Sequence, residues 1–249
     1  MSEPSPRSSP HAIRAWHAHV DRVWPSAASH DRALTWLSAA ERTRYDRFRH
    51  DVDREMFLLG RAMARTLVGR ALGVAPETWP WREGPRGRPE IDRPGSPVSF
   101  NVAHSGGVVV CAIAHGAEVG IDVEDRRRAR LDRALVARYC SSSEAADVAR
   151  AGDAWQDRFL RYWTLKEAYL KARGLGIAVH LSDLSFTLGA TGDACVEFLG
   201  SLAGSDPNWA FDLRDLDEAY YVAAAASTLQ GVRPSFALDP LPPEWLPQP

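Results

Sequence analysis

Two lysines lie five residues apart in a chain that otherwise uses arginine as its basic residue. Lys166 and Lys171 are the only lysines among the 30 basic residues of this 249-residue chain. A lysine carries a compact, mobile point charge, whereas an arginine carries a planar fork of donors, so the two are not interchangeable. A compact ammonium suits a phosphate that lies beside a metal ion, and the segment around these lysines is therefore a candidate phosphate site.

Two carboxylates alternate along a predicted strand at residues 118–124. Side chains alternate between the two faces of a strand, so Asp122 and Glu124 share one face. Two carboxylates on one face repel each other unless a cation lies between them, and hard oxygen ligands suit Mg²⁺, which also accepts phosphate oxygens. Alone, the same alternation is typical of an exposed edge strand that carries charges as protection against pairing. The metal interpretation therefore requires a third ligand.

The segment that contains the two lysines supplies a candidate third ligand. Glu167 and Lys171 are four residues apart and share a helix face, whereas Lys166 points about 100° away from Glu167. Glu167 is thus predicted to bind a metal while Lys171 reaches a phosphate, although an ordinary helix-stabilising pair has the same spacing. The other large side chains of this segment are predicted to belong to the core or to an interface: Trp163, Leu165, Tyr169 and Leu170.

A polar turn and a basic loop offer further phosphate contacts. His104 lies in a turn between two predicted strands, where a histidine donates to a phosphate or serves the structure alone. Gly106 and Gly107 follow it and would let a ligand approach the backbone. Arg86 and Arg88 lie in a Gly- and Pro-rich loop, where they would bind a phosphate or simply be solvated.

Hydrophobic periodicity predicts the elements that position these residues. Helices are predicted at Asp51–Leu72 and at residues 132–139, 142–151 and 157–173, with Ser142 or Ser143 as a cap of the third and Gly174 and Gly176 ending the last. Strands are predicted at residues 98–103, 107–114, 118–124, 184–188, 194–199, 209–213 and 220–226, and residues 76–97 are predicted to form a long loop. This order favours an α+β fold of two similar, pseudo-two-fold-related halves, each with a long helix and an antiparallel sheet.

Length and composition set the frame for this fold. With 249 residues and 45% hydrophobic content, the chain can bury one substantial core or two small ones. We expect a disordered tail at residues 1–12, an N-terminal subdomain at 13–115, a C-terminal subdomain at 116–238 and a loose tail at 239–249. Two similar halves in one chain can form a complete site, so a monomer is expected.

Charge and cysteine content argue against several classes of function. The net charge of −2 argues against nonspecific attraction to nucleic acid or to a membrane surface. The first ten residues are Ser- and Pro-rich without an apolar run, so no leader is expected, and no stretch reaches the roughly 18 apolar residues that a membrane span needs. The three cysteines, Cys111, Cys140 and Cys195, are odd in number and lack metal-site spacing, so neither a disulfide framework nor zinc is indicated. A reducing, cytoplasmic location is expected.

Four segments together resemble the Sfp-type 4′-phosphopantetheinyl transferases. In chain order they are Gly87-Arg-Pro89, Ser99-Phe-Asn-Val-Ala-His-Ser-Gly106, Val119-Gly-Ile-Asp-Val-Glu124 and Trp163-Thr-Leu-Lys-Glu-Ala-Tyr-Leu-Lys171. Each segment is short, but four in the family's order and at its usual intervals make a specific match. The resemblance implies the two-halved fold of that family. It also implies Mg²⁺-dependent transfer of the phosphopantetheine arm of coenzyme A to a serine of an apo acyl or peptidyl carrier protein, with release of 3′,5′-ADP.

The resemblance assigns the acidic residues and the lysines to the reacting end of coenzyme A. It implies that Asp122, Glu124 and Glu167 hold Mg²⁺ against the pyrophosphate. It further implies that Lys171 stabilises that pyrophosphate, while Lys166 contacts a phosphate or the carrier.

The nucleotide end of coenzyme A is assigned to other residues by the same resemblance. His104, Arg86 and Arg88 are expected to hold this end, including its 3′-phosphate. Arg44 and Arg54 are weaker candidates for the same phosphate. Two departures from the family pattern bear on this end. Ala103 stands where many relatives have serine, and Met56 stands where they often have arginine, so that Arg54 or Arg61 would have to substitute.

The general base and the reaction itself stay open at this point. Glu144 matches a family glutamate, and either Glu144 or Glu167 would take the proton of the incoming serine. A Mg²⁺-dependent pyrophosphohydrolase would use similar residues but would turn over without a carrier. A coenzyme A-binding or carrier-docking module would be expected to have lost part of the acidic triad, which here is complete.

Overall fold

The computed structural model describes residues 12–78, 81–84, 89–127, 131–175, 179–189, 192–228 and 233–248. The helices within these ranges are α1 (Ala27–Thr35), α2 (Ala39–Asp46), α3 (Asp51–Leu72), α4 (Ala134–Tyr139), α5 (Ser142–Arg150) and α6 (Trp155–Arg173). The strands are β1 (Ala12–His19), β2 (Trp81–Glu83), β3 (Pro89–Ile91), β4 (Val98–Ser105), β5 (Val108–His115), β6 (Val119–Asp125), β7 (Leu184–Leu188), β8 (Asp193–Phe198), β9 (Trp209–Leu216), β10 (Tyr220–Ser227) and β11 (Ser235–Pro240).

The strands form two large sheets and one small hairpin. The first sheet has the order β11-β1-β5-β4, in which β11 and β1 are parallel and the other neighbours are antiparallel. The second sheet has the order β6-β10-β9-β8-β7 and is antiparallel throughout. Strands β2 and β3 pair only with each other. Helices combined with largely antiparallel sheets confirm the predicted α+β fold.

Three apolar clusters join the helices and sheets into four layers. Helix α3 packs on the first sheet, the two sheets pack against each other, and α6 covers the outer face of the second sheet. Strand β5 shows how the sequence produces this order. Its residues Val109 and Cys111 belong to the cluster around α3, whereas Val108 and Val110 belong to the cluster between the sheets. Because both faces of β5 are buried, its sequence is a continuous apolar run and does not alternate.

Helix α6 lies directly against β6 at a glycine. A Cβ atom at Gly120 would lie 2.0 Å from the carbonyl oxygen of Ala168, so only glycine permits this approach. Asp122 and Glu124 lie on the same strand face as Gly120, and the contact therefore places both carboxylates beside α6. They are 5% and 7% exposed, respectively. The alternative of an exposed edge strand is therefore wrong, although β6 is the last strand of its sheet.

Two regions that were expected to lack regular structure are parts of the fold. Residues 76–97, predicted as one long loop, contain the β2–β3 hairpin. Residues 239–249, predicted as a loose tail, begin within β11 and continue through a 3-10 turn at Pro243–Trp245. Leu241 and Leu246 are buried in the cluster around α3. The prediction of a tail is wrong here because the apolar side chains of this Pro-rich segment enter the first core.

The remaining elements agree with prediction apart from their ends and a few omissions. Helix α3 and strand β7 have the predicted bounds, the other predicted elements shift by up to three residues, and α1, α2, β1 and β11 were not predicted. Ser141, and not Ser142 or Ser143, caps α5. Gly174 ends α6 in the left-handed conformation, whereas Gly176 lies outside the described residues.

The ends of the two proposed halves are less simple than the sequence suggests. Residues 1–11 of the expected N-terminal tail lie outside the described residues, and residue 12 already belongs to β1. Residues 235–238, which were assigned to the C-terminal half, pair with β1 in the first sheet. The subdomain boundaries stay a prediction. No helix in the described part of the chain is long and apolar enough to cross a membrane.

Candidate functional site

A cavity of about 600 Å³, here called the acidic cavity, opens between β6, α6 and the turn that joins β4 to β5. Its acidic side chains are Asp53, Asp122, Glu124, Asp125 and Glu167. Lys171 and His104 line the same cavity. The structure thus brings together the three predicted metal ligands, the lysine predicted to share the face of Glu167, and the predicted histidine.

Asp122 is a buried carboxylate of the acidic cavity, and only one of its two oxygens has a hydrogen-bond partner among the described residues. Its Oδ1 atom accepts a hydrogen bond of 2.5 Å from the ammonium of Lys171. Its buried Oδ2 atom has no hydrogen-bond partner among the described residues. Burial raises the pKa of Asp122 to about 7, although the charge of Lys171 acts in the opposite direction. A buried carboxylate with one unsatisfied oxygen is therefore held ready for a further cation or donor.

Asp122, Glu124 and Glu167 together form one side of the acidic cavity, here called the acidic wall. A tryptophan binds one of these carboxylates. The indole Nε1 of Trp163 donates to Glu124 Oε1 at 2.8 Å. Glu167 is half-buried, and burial raises its pKa. Trp163 packs against the apolar cluster around α6, as expected, and it also lines the acidic cavity. The signal was present in the sequence, because Trp163, Glu167 and Lys171 recur at intervals of four on one helix face.

Three other residues of the same helix segment were predicted to belong to the core or to an interface, and all three are buried. Leu165 and Tyr169 are 0% and 1% exposed and belong to the cluster between α6 and the second sheet. Leu170 has both roles, since it is buried in that cluster and also lines the acidic cavity.

The acidic wall is the candidate site for a magnesium ion. Three carboxylates are hard oxygen donors of the kind that Mg²⁺ prefers, and the unpartnered oxygen of Asp122 lies among them. Among the described residues, however, no group of three His, Cys, Asp or Glu side chains is arranged to hold a metal ion. Asp122 is paired with Lys171 and Glu124 with Trp163. The donor chemistry fits the ion, and the carboxylates form a wall instead of a closed coordination shell.

A second cavity of about 390 Å³, here called the basic cavity, adjoins the first. It is lined by Arg44 and Arg61, and it shares Met56, His104 and Lys171 with the acidic cavity. The shared residues make a continuous path from a carboxylate-rich region to a guanidinium-rich region. Such a path fits an elongated molecule with several phosphate groups. A phosphate at the basic end would be bound by side-chain cations without a metal ion.

His104 and Arg61 both line the basic cavity. The ring of His104 is open to the cavity and otherwise closely surrounded by protein, and this desolvation, followed by the charge of Lys171, lowers its pKa. Arg61 Nε lies 2.7 Å from Glu41 Oε1, and its guanidinium lies 4.7 Å from the ring centre of Phe57. Burial lowers the pKa of Arg61. Arg61 is therefore a preorganised cation at this cavity.

Arg54 is not among the residues that line either cavity. Arg54 donates to Asp51 Oδ1 and to the carbonyl oxygen of Phe48, both at 3.0 Å, so it fixes the start of α3. Its assignment as a phosphate contact is therefore corrected. Of the two arginines considered as substitutes for the family arginine, Arg61 is the one that lines the basic cavity. Arg86 and Arg88 lie outside the described residues.

Lys166 is buried and cannot contact a phosphate or the carrier protein. Its side chain is 1% exposed. Its ammonium donates to the carbonyl oxygens of Tyr139, Leu181 and Leu184 at 2.7–2.8 Å, and it lies 2.6 Å from Glu144 Oε2. Burial lowers the pKa of Lys166, although Glu144 opposes this shift. The expected ligand contact is wrong because the side chain points into the packed interior between α4, α5, α6 and β7.

Glu144 is equally unable to meet an incoming serine. Its side chain accepts hydrogen bonds from the backbone N–H groups of Ser141 and Phe186, both at 2.8 Å, in addition to its contact with Lys166. It is 1% exposed and completes the capping box of α5. Its assignment as a base is therefore corrected. Of the two candidates for the base, only Glu167 lines the acidic cavity.

Comparison with known proteins places this geometry in a family. Residues 22–116 match the model of the "4′-phosphopantetheinyl transferase, N-terminal" family, and residues 118–225 match that of the "4′-phosphopantetheinyl transferase superfamily". A "Phosphopantetheinyl transferase" from Thraustochytrium sp. is 32% identical over 230 residues, which cover 87% of this chain and 79% of that protein. The chain belongs to the 4′-phosphopantetheinyl transferase family. It is thus a transferase enzyme.

A second relative covers the chain to a similar extent. A "4′-phosphopantetheinyl transferase" from Bacillus subtilis is 31% identical over 217 residues, which cover 86% of this chain and 92% of that protein. The crystal structure of a holo-(acyl-carrier-protein) synthase from Thermotoga maritima aligns with 45% of this chain and 64% of that chain, with a TM-score of 0.38 and 22% identity.

The two expected departures from the family pattern lie together. Ala103 and Met56 both line the basic cavity, and Arg61 lines it as well. Ala103 contributes no hydroxyl donor, and Met56 contributes no charge. Among the described residues, the cations of this transferase at the basic cavity are instead Arg44, Arg61 and the shared Lys171.

Proposed function

We propose that the enzyme transfers the 4′-phosphopantetheine arm of coenzyme A to a serine of an apo acyl or peptidyl carrier protein, requires Mg²⁺ and releases 3′,5′-ADP. One observation carries this proposal. The acidic and basic cavities adjoin through His104 and Lys171, so a ligand with a pyrophosphate and a separate phosphate can reach both. Coenzyme A has this charge distribution, and membership of the family supports the choice of ligand.

The nucleotide end belongs in the basic cavity under this proposal. Arg44 and Arg61 supply charge for the 3′-phosphate, and His104 lies at the junction with the pyrophosphate. Lys171 lies on the acidic side of that junction and neutralises a pyrophosphate oxygen. Cations that are already in position lower the barrier to phosphoryl transfer because little reorganisation is needed when charge moves in the transition state.

The acidic wall has two roles in the proposal. Asp122, Glu124 and Glu167 hold Mg²⁺, which would neutralise pyrophosphate charge when bound. Glu167 also receives the proton of the carrier serine as its hydroxyl oxygen attacks the phosphorus of the phosphopantetheine group and 3′,5′-ADP leaves. Glu167 is the carboxylate assigned to this role because it lines the acidic cavity, whereas Glu144 is buried.

The proposal is tested by intact-mass spectrometry of a panel of apo carrier proteins incubated with the enzyme, coenzyme A and Mg²⁺. The expected product is a carrier that has gained one phosphopantetheine group at a serine. Glu167→Gln should abolish most of this gain, whereas Glu118→Gln should not. Glu118 is a matched control because it is exposed and lies just before β6, outside both cavities.

Two other outcomes would replace the proposal. Hydrolysis of coenzyme A without any modified carrier would favour a pyrophosphohydrolase. Binding of coenzyme A with neither hydrolysis nor transfer would favour a binding or docking module. Because both outcomes are read from the same mixture, a single set of mass spectra separates them.

We further propose that the enzyme acts as a cytoplasmic monomer, without nucleic acid or a membrane as a partner. The three cysteines are unpaired, two of them buried, which suits a reducing compartment. Each cavity is lined by residues from both matched segments, 22–116 and 118–225, so one chain can form the site. Light scattering on a size-exclusion column should give the mass of one chain, and a stable dimer would contradict the proposal.

A further inference from the structure

The turn between β4 and β5 is held from the second sheet. His104 and Ser105 end β4, Gly106 begins the turn, and all three line the acidic cavity. The hydroxyl of Tyr220, at the start of β10, donates to the carbonyl oxygen of Gly106 at 2.8 Å. The backbone N–H of Asp125 donates to Ser105 Oγ at 3.2 Å. The position of the turn therefore depends on residues far away in sequence.

The hydroxyl of Tyr220 is itself fixed on both sides. Its ring is 4% exposed and belongs to the cluster between the two sheets. Arg127 donates to the Tyr220 oxygen at 2.7 Å, and the same guanidinium binds both oxygens of Asp125 at 2.9 and 3.0 Å. Tyr220 and Asp125 are paired across β10 and β6. The packed ring and the contact with Arg127 therefore fix the position of the Tyr220 hydroxyl relative to the turn.

Two glycines form the turn, and contacts from outside the hairpin hold them, including a hydrogen bond from the Val20 N–H to the Gly107 carbonyl oxygen at 3.0 Å. Gly106 and Gly107 have φ angles of +57° and +88°, a region in which glycine meets little steric resistance. A Cβ atom on Gly106 would lie 2.2 Å from Asp125 Oδ2, so no larger residue can stiffen the turn there. A hydrogen bond to the Gly106 carbonyl replaces the restraint that side chains supply elsewhere.

We propose that Tyr220 is a positioning residue for ligand binding: its hydroxyl holds the turn so that His104 faces the junction of the two cavities. This inference rests on the proposed function, because it takes coenzyme A as the ligand that His104 meets. Tyr220 does not itself line either cavity. Its effect therefore passes through Gly106 to His104.

The first test compares two phenylalanine substitutions in neighbouring tyrosines. Tyr220→Phe keeps the buried ring and removes only the hydroxyl. Tyr221→Phe is the matched control, because its hydroxyl donates to Asp157 and its ring lies on the opposite face of β10, towards α6. Calorimetry should show Kd for coenzyme A raised about three- to tenfold in the first variant and unchanged in the second. An unchanged Kd in Tyr220→Phe would overturn the inference.

The second test asks whether the effect passes through His104. In a His104→Ala background, Tyr220→Phe should cause no further loss of affinity, since the group that it positions is gone. Equal losses in both backgrounds would show that Tyr220 acts by general loosening, and this would overturn the inference. If Tyr220→Phe does not fold, Arg127→Gln replaces it. Arg127 is largely exposed, and its loss should weaken coenzyme A binding in the same direction.

Failure of the inference and failure of the proposed function can be told apart. Kd is measured without a carrier, so the positioning effect is seen even if transfer fails. A wild-type enzyme that transfers normally, with no change of Kd in Tyr220→Phe, overturns only the positioning role. A wild-type protein that does not bind coenzyme A overturns both.

Discussion

Helix α6 carries two lysine–carboxylate pairs that differ in almost every respect except charge. Lys166 lies 2.6 Å from Glu144 and is 1% exposed, and Lys171 lies 2.5 Å from Asp122 and is 31% exposed. The first ammonium has three further carbonyl acceptors, and the first carboxylate has two further backbone donors. In the second pair, the carboxylate retains a buried oxygen with no hydrogen-bond partner among the described residues.

The difference teaches how the same ion pair serves structure in one place and chemistry in another. A buried pair is stable only when its remaining hydrogen-bonding capacity is satisfied, and Lys166 with Glu144 meets that condition. The pair at Asp122 does not meet it, and it lines a cavity that can admit a ligand. The first pair therefore holds α4, α5, α6 and β7 together, and the second remains available to a substrate.

The largest expected effect comes from breaking the buried pair. Lys166→Met should lower the free energy of unfolding by about 3–5 kcal/mol, because it leaves the carboxylate of Glu144 buried without its cation. Urea unfolding followed by circular dichroism measures this change. Lys171→Met should lower the same quantity by less, because the pKa of Asp122 is already raised to about 7 and this carboxyl can take up a proton once its cation is gone. Equal losses of stability in the two variants would contradict the comparison.

The next effect is on catalysis and falls on the other lysine. Lys171→Met should lower kcat of carrier modification by about 10²–10³-fold, since it removes a positioned charge from the proposed pyrophosphate site. The rate is measured by intact-mass spectrometry at saturating coenzyme A. Arg173→Met is a suitable control, because Arg173 lies on the last turn of the same helix and lines neither cavity described above. A Lys171→Met enzyme as fast as the control would refute the assignment.

A smaller effect should follow from separating α6 and β6. Gly120→Ala would place a Cβ atom against backbone atoms of Ala168 and Ala172, so the helix must shift. Overpacking of this kind costs about 1–3 kcal/mol of stability. Transfer should also fall, because Asp122 and Glu124 move away from Glu167. Thermal unfolding and the transfer rate are measured together, and a variant with normal values of both would show that the close approach is unnecessary.

The smallest effect concerns a partly exposed carboxylate between α5 and α6. Hydrogen bonds, first from Arg158 and then from Tyr162, lower the pKa of Asp147 from 3.8 to about 2. Because the folded-state pKa lies below the unfolded one, Asp147 stabilises the fold above about pH 4, and this contribution is lost as the pH falls towards 2. Asp147→Asn should cost about 1–2 kcal/mol at neutral pH. Urea unfolding should show the gap to wild type closing below about pH 4, whereas a constant gap would contradict the assignment.

Local patterns in the sequence predicted the main elements and the acidic wall. The strand alternation at Asp122 and Glu124 and the helix spacing of Glu167 and Lys171 depend only on backbone geometry, so they could be found without a structure. The apolar periodicity of α3 was long enough to define both of its ends. Residues close in sequence, on regular elements, were therefore predictable.

The destinations of long side chains were not predictable in the same way. Helical spacing showed that Lys166 points away from Glu167, but whether that direction leads to a ligand or to the interior depends on α4, α5 and β7. The carbonyl oxygens that receive Lys166 come from segments up to 27 residues away. Arg54 likewise finds local partners that no periodicity reveals. The Pro-rich end of the chain was misjudged because its few apolar residues, such as Leu246, fill a core formed elsewhere.

The most direct measurement of the central claim is the rate of carrier modification per folded molecule in Lys171→Met and Lys166→Met, measured side by side. Circular dichroism at low temperature gives the folded fraction of each variant. The account predicts a folded but nearly inactive Lys171→Met, and a partly unfolded Lys166→Met whose folded molecules transfer within about tenfold of the wild-type rate. A fully folded, inactive Lys166→Met beside an active Lys171→Met would contradict the account.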